Sequence, residues 1–290
     1  MKIQLNSSCP FNLDFTLCCG QVFRWDKKDE WWYGVARENV FKIHQIDDEL
    51  EFENTDEIFV QNYFGLDDNL PRIFSQISKD EHIKNAVETF KGLRIIRQNP
   101  WECLISYICA TYKNISAIKQ MLLNLSKKFG DKICLDGYDF YTFPTSEKLS
   151  RATIGKLVEC GLGYRAKYVS ETAKIAYENG FDFERLRKIT CEKAREELVN
   201  FPGVGLKVAD CVLLFSLRKL EAFPVDVWIK RVVLKYYANH FAKEFIRKIS
   251  GKNSLTCSEY ERLNSFGRIY FGEYAGYAQE YLYHYERTQN

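Results

Sequence analysis

The chain has 290 residues, 46% of them hydrophobic and 28% charged, a balance that excludes disorder and suits one or two ordinary globular domains. No uncharged apolar run approaches the ~20 residues of a membrane helix, and the start Met1-Lys2-Ile3-Gln4-Leu5-Asn6 lacks a secretory apolar stretch. The net charge of +2 hides an asymmetry: residues 1–80 hold 8 Lys/Arg against 15 Asp/Glu, and the remainder holds 33 against 24, so the basic part is compatible with a polyanion.

Ten cysteines without a secretory signal read as reduced thiols. They stand at 9, 18, 19, 103, 109, 134, 160, 191, 211 and 257, with no C-x-x-C pair. Zinc ribbons and cysteine-held clusters are therefore not indicated. The four histidines, at 44, 82, 240 and 284, are too scattered for a metal site.

Between 21 and 54 short aromatic and β-branched runs alternate with polar breaks. The runs are Gln21–Trp25, Trp31–Val35, Phe41–Ile46 and Leu50–Phe52; the breaks are Asp26–Asp29, Arg37–Asn39 and Asp47–Glu49. That pattern predicts an antiparallel meander. From about 82 the period becomes helical, with Ile83, Val87, Phe90, Leu93 and Ile96 recurring at three and four residues. Pro100 fits a helix start. Further helices are predicted at about 115–129, 165–178, 191–199, 207–217, 227–239 and 273–284, with Gly130, Gly180 and Gly251 as punctuation. The fold class is α+β: a sheet-bearing region over 1–82, then a mostly helical core over 83–290. A competing hinge lies at Gly65–Pro71.

The segment Asn200-Phe201-Pro202-Gly203-Val204-Gly205-Leu206-Lys207 stops one helix and starts another, a hairpin spanning about 191–217. Amides of Gly203, Val204 and Gly205 at a helix N-terminus can hold one phosphate without reading sequence; the bland alternative is a tight connection. Lys207 opens the second helix, where the dipole disfavours a cation. A neutral amine there is a nucleophile able to form a Schiff base with a sugar carbon, although a solvated lysine is the simpler reading. Cys211 lies one turn later on the same face. Asp226 precedes an apolar periodic run and reads as an N-cap. A capping carboxylate held rigidly there can also stabilise positive charge on a nearby sugar.

Hairpin, lysine and downstream Asp together resemble the helix-hairpin-helix (HhH-GPD) DNA glycosylases, and within them the eukaryotic-type 8-oxoguanine glycosylase/lyase family. The similarity extends to Cys19–Trp25, Gly92–Leu104, Leu162–Val169, Pro224–Val227 and Tyr274–Gln279. The resemblance implies that Lys207 attacks the sugar C1′ and Asp226 supports that step. The imine acidifies the adjacent sugar protons, so β-elimination cuts the strand. The resemblance also implies that the Gly20 carbonyl reads the lesion: oxidised guanine carries a hydrogen on N7 where guanine has a lone pair. Gln279 then bonds the flipped base's Watson–Crick edge, and Tyr283 and Cys211 cover its faces. On their own, Tyr283 reads as a packed aromatic and Cys211 as a small buried residue.

Tyr164 and Arg165 match the wedge and the contact to the orphaned opposite base, with Tyr112 and Asn114 as further DNA contacts. Three departures stand out. The Asn and Arg that contact cytosine in eukaryotic members fall at Tyr112 and Ala117, and a His near the catalytic Asp is Trp228. Weaker discrimination of the opposite base follows. No metal or organic cofactor is expected. The expected partner is double-stranded DNA containing 8-oxoguanine, met by a monomer in a prokaryotic cytoplasm, at the nucleoid. Two other readings stay open: a non-catalytic DNA-binding module, and a glycosylase of the same fold for an alkylated purine or oxidised pyrimidine.

Overall fold

The structure, a computed structural model, describes residues 1–6, 9–36 and 38–289. The predicted meander is a five-stranded antiparallel sheet. Its strands are β1 (Lys2–Gln4), β2 (Trp25–Lys28), β3 (Trp31–Ala36), β4 (Asn39–Ile46) and β5 (Glu49–Glu53), in the order β1-β5-β4-β3-β2. Two of the turns need only two residues, because Lys28 pairs with Trp31 and Ile46 with Glu49. Asp29 and Asp47 supply the left-handed position in each, a conformation Asp tolerates through local side-chain bonding. Arg37, in the second break, lies outside the described residues. One sheet face buries Trp25, Trp32, Phe41, Ile43, Leu50 and Phe52 under Phe59, Val60, Tyr63 and Phe64 of and beside the helix Glu57–Tyr63. The Trp25 indole N–H donates to the Tyr63 hydroxyl at 3.0 Å.

Two expectations near the junction are corrected. Residues 21–24 are irregular, and only Trp25 of that run enters a strand. The helix from Glu81 stops at Thr89, so Leu93 and Ile96 belong to an extended strap rather than a helix face. Their three-residue spacing mimics helical period while every residue from Leu93 to Ile96 is buried. The strap is held by side chains instead of a ladder. Gln21 donates to the carbonyls of Thr16 (3.0 Å) and Arg94 (2.8 Å) and accepts from the Ile96 amide (2.8 Å). Buried Arg94 donates to the carbonyls of Gly65 and Asp68. A buried polar group persists only when so satisfied. These two side chains fasten the strap, and with it the sheet region, to the helical core.

In the core, Ile115–Phe129 and Arg165–Glu178 match their predicted bounds. The hairpin helices are Cys191–Leu198 and Leu206–Ser216. Val227–Tyr236 is shorter than expected, followed by a 3-10 turn at Ala238–His240, and the last helix is Ala275–Thr288. The sequence reading missed a small hairpin, β6 (Lys132–Leu135) with β7 (Tyr138–Tyr141), and the long helix Cys257–Phe271. That helix starts at a capping box in which Thr256 and Glu259 bond each other's backbone. It also missed several short helices, among them Leu13–Cys18 and Leu70–Ile77.

Candidate active site

The hairpin turn is built around Gly203 and Gly205. Gly203 has φ +80°, and a Cβ there would stand 2.8 Å from the Tyr168 ring, so both backbone and packing require glycine. Gly205 is the N-cap of Leu206–Ser216, uses no side-chain cap, and faces open space. Its helix start is therefore free to meet an anion. Val204 points its side chain inward and is buried, which leaves only its backbone for a phosphate.

Lys207 is half-buried at the second position of that helix. Its Nζ lies 5.0 Å from the ring centroid of Tyr107, a buried side chain on the helix Pro100–Ala110. Tyr107 is itself fixed: its ring stacks on Phe215 and its hydroxyl donates to the Gln21 carbonyl at 3.2 Å. The Lys207 charge acts on both Cys211 and Asp226, so the three residues singled out in the sequence share one site. Burial pushes the Cys211 thiol up to about 12, against the pull of Lys207. That thiol is an uncharged wall, not a nucleophile.

Asp226 caps Val227–Tyr236, with Oδ1 accepting from the amides of Trp228 and Ile229 at 2.9 Å each. Burial raises its pKa above the ordinary carboxylate range, opposed by these two amides and by Lys207.

Gly20 has φ +105°, and a Cβ there would stand 2.7 Å from Arg287 Nη1 and 3.2 Å from the Tyr283 hydroxyl. The turn carrying Gly20 therefore packs directly against Tyr283, as the expected pocket requires. Gln279, one turn before Tyr283, is only 4% exposed and its Oε1 has no hydrogen-bond partner. A buried acceptor left open costs ~1–3 kcal/mol.

On the rim, Tyr164 is 59% exposed and Tyr112 is 78% exposed. Arg165, between them, is buried; its guanidinium lies 4.4 Å from the Tyr164 ring centroid and donates to the Thr111 carbonyl. Tyr112 has φ +54°, a strained backbone for a bulky residue. Asn114 caps the next helix by accepting from the Ala117 amide at 2.8 Å.

Three residues at this site escaped the sequence reading: Tyr107 under the lysine, Arg287 against Gly20, and Glu280. For Arg287 the signal was present, since it follows Tyr283 by four residues and so shares its face. Among the described residues no cluster of three or more His, Cys, Asp or Glu is placed to hold a metal ion.

Residues 2–104 match the family model for the 8-oxoguanine DNA glycosylase N-terminal domain, and residues 105–251 match that of the HhH-GPD superfamily base excision DNA repair proteins. The chain belongs to the HhH-GPD superfamily, and its fold and hairpin are that superfamily's. Within it, the chain belongs to the 8-oxoguanine DNA glycosylase family. It is 37% identical to the N-glycosylase/DNA lyase of Saccharomyces cerevisiae over 77% of this chain, spanning 65% of the length of that relative. It is 30% identical to N-glycosylase/DNA lyase OGG1 of Arabidopsis thaliana over 93% of this chain and 76% of that one. Among solved structures it superposes, with a TM-score of 0.87 and 34% identity, on the Clostridium acetobutylicum 8-oxoguanine glycosylase/lyase in complex with double-stranded DNA containing cytosine opposite 8-oxoG. That match covers 97% of this chain and 93% of the other. No described helix is long and apolar enough to cross a membrane.

Proposed function

We propose that this chain removes 8-oxoguanine from duplex DNA and then cuts the abasic strand. The observation that carries this reading is the meeting of Lys207, Cys211 and Asp226 on one site, bordered by the open acceptor of Gln279. The Lys207 amine attacks C1′ and the bond from C1′ to the base N9 breaks, its electron pair leaving with the base. Ring opening gives an imine between C1′ and Nζ. Loss of a C2′ proton then expels the 3′ phosphate oxygen by β-elimination. Asp226, held by two amides, stabilises the positive charge that develops on the sugar. The Gly20 carbonyl accepts from N7–H of the lesion, Gln279 bonds the Watson–Crick edge, and the ring lies between Cys211 and Tyr283. Amides at Gly203, Val204 and Gly205 hold a phosphate. Tyr164 wedges the stack, with Tyr112 and Asn114 on the orphaned strand, while buried Arg165 braces Tyr164 from below through its ring and the Thr111 carbonyl. The substrate is met where chromosomal DNA lies, in a prokaryotic cytoplasm at the nucleoid.

Borohydride reduction during incubation with 8-oxoguanine duplex traps the imine as a covalent adduct. Lys207→Gln removes the adduct and base release but keeps lesion binding. Near-wild-type turnover by that variant means another nucleophile operates. Across the four opposite bases, excision is less cytosine-selective than in eukaryotic relatives. Tyr112 and Ala117 cannot supply the bidentate-type hydrogen bonds that read cytosine, and each such pairing is worth ~1–3 kcal/mol. Selectivity at the eukaryotic level refutes that expectation.

A further inference from the structure

Glu280 follows Gln279 on the last helix and is only 2% exposed. One of its oxygens, Oε1, is buried with no hydrogen-bond partner. Gly276, four residues earlier, packs against Leu214 of the second hairpin helix, and Tyr283 and Arg287 lie against Gly20 further along. Residues 276, 280, 283 and 287 form one helical stripe, so Glu280 sits on the stripe that runs from the hairpin helix to Gly20. The groups within its electrostatic reach agree. They are Cys19 from the first helix cap, Tyr107 from Pro100–Ala110, Cys211 from the hairpin helix, Asp226 from the cap of Val227–Tyr236, and Tyr283 and Arg287 from its own helix. The cation does not neutralise it by direct bonding: the Arg287 guanidinium donates to the Cys18 carbonyl at 2.6 Å and the Tyr283 hydroxyl at 3.4 Å.

We propose that Glu280 is a second reader of the flipped base, its Oε1 accepting a hydrogen bond from a ring or amino N–H of oxidised guanine beside the Gln279 amide. This rests on the glycosylase reading above. A carboxylate only accepts, so the ligand edge it faces must donate. A guanine-type edge offers N1–H and the 2-amino group; adenine offers a lone pair at N1, which the carboxylate repels. Glu280 therefore makes the pocket select a guanine-type purine as well as an oxidised one. Burial raises its pKa to about 7, opposed by a hydrogen bond from the Cys19 thiol to the carboxylate and by the Arg287 charge, while Oε1 stays without a partner. A donor from the base favours the ionised form, so lesion binding tightens as pH rises through neutrality.

The test measures, in Lys207→Gln protein with and without Glu280→Gln from pH 6 to 8, the binding preference for 8-oxoguanine duplex over 8-oxoadenine duplex, which share N7–H and differ at the Watson–Crick edge, with undamaged duplex giving the lesion preference. Asp226 contributes equally to both proteins, so their difference isolates Glu280. The expected result is a fall in preference of about ten- to a hundred-fold and loss of the upward pH slope. Unchanged preference together with an unchanged slope in Glu280→Gln overturns the role of Glu280 while leaving the glycosylase reading intact. Absence of any lesion preference in Lys207→Gln alone overturns both. Should the double variant fail to fold by its melting profile, Lys207→Gln with Glu280→Met replaces it and is judged by the same difference in preference and slope.

Discussion

Two buried acids lie near the second hairpin helix, and they differ in how they are satisfied. Asp210 is 2% exposed and enclosed by donors: Tyr260 hydroxyl at 2.6 Å, Arg195 Nη2 at 2.9 Å and Asn264 Nδ2 at 3.0 Å. Glu280 is equally buried, has one hydrogen bond, to the Cys19 thiol, and keeps Oε1 open. Burial raises both, Asp210 to about 6 and Glu280 to about 7, so a perturbed acidity does not separate them. Hydrogen-bond accounting does. Asp210 ties Leu206–Ser216 to the helix Cys257–Phe271, and both of its oxygens are already paired within the chain. The open acceptors, on Gln279 and Glu280, stand where a base is expected. Of these two acids, the one that ties helices is completed within the chain, and the one proposed to meet the base keeps an acceptor for it.

The strongest attempt to break this contrast is Asp210→Ala. It strips Tyr260 and Asn264 of their shared acceptor and Arg195 of a buried partner, leaving Glu261 at 2.9 Å as its other ion pair. Breaking a buried pair by removing one side costs ~3–5 kcal/mol. Urea unfolding should show that loss, while base release per folded molecule stays unchanged. A loss below about 1 kcal/mol means the cluster is not the structural tie it is taken to be.

Glu280→Gln should move stability the other way. In the window from the ordinary carboxylate value up to about 7, the folded chain holds a proton that the unfolded chain has released. Stability contributed by that proton is present at low pH and lost as pH rises through the window. At pH 8 the buried carboxylate costs up to ~3 kcal/mol, since its rise from 4.5 to about 7 is worth ~1.36 kcal/mol per pH unit. The ligand-free Gln variant should therefore melt higher than wild type at pH 8 and alike at pH 5. Equal melting at both pH values means that Glu280 is already satisfied and the contrast with Asp210 is lost.

This contrast also marks how far the sequence could be read. Lys207, Asp226 and the Pro-Gly-Val-Gly turn announce themselves because turn chemistry and capping are local, fixed within a few residues. The strap at Leu93–Ile96 does not, since its buried residues carry a helical spacing while its bonds go to Gln21 and Thr16, more than seventy residues away. Glu280 was illegible for the same reason. A Glu inside a helix is ordinary, and only the packing of Gly276 against Leu214 and of Tyr283 against Gly20 places its face between the hairpin helix and Gly20. The Cys257–Phe271 helix was the exception, missed although its capping box is local.

Asp226 falls between the two acids, and it gives the finest test. Both of its cap bonds reach one oxygen, Oδ1. The cap needs an acceptor and no charge, while the proposed stabilisation of a cationic sugar needs the charge. Asp226→Asn keeps an oxygen for the amides of Trp228 and Ile229, so melting should stay close to wild type while base release slows. Asp226→Ala loses the cap as well and should cost ~1 kcal/mol on top of the same slowing. Asparagine that restores both melting and rate makes Asp226 a cap alone. Asparagine that restores melting without rate assigns the charge to the chemistry and the oxygen to the helix.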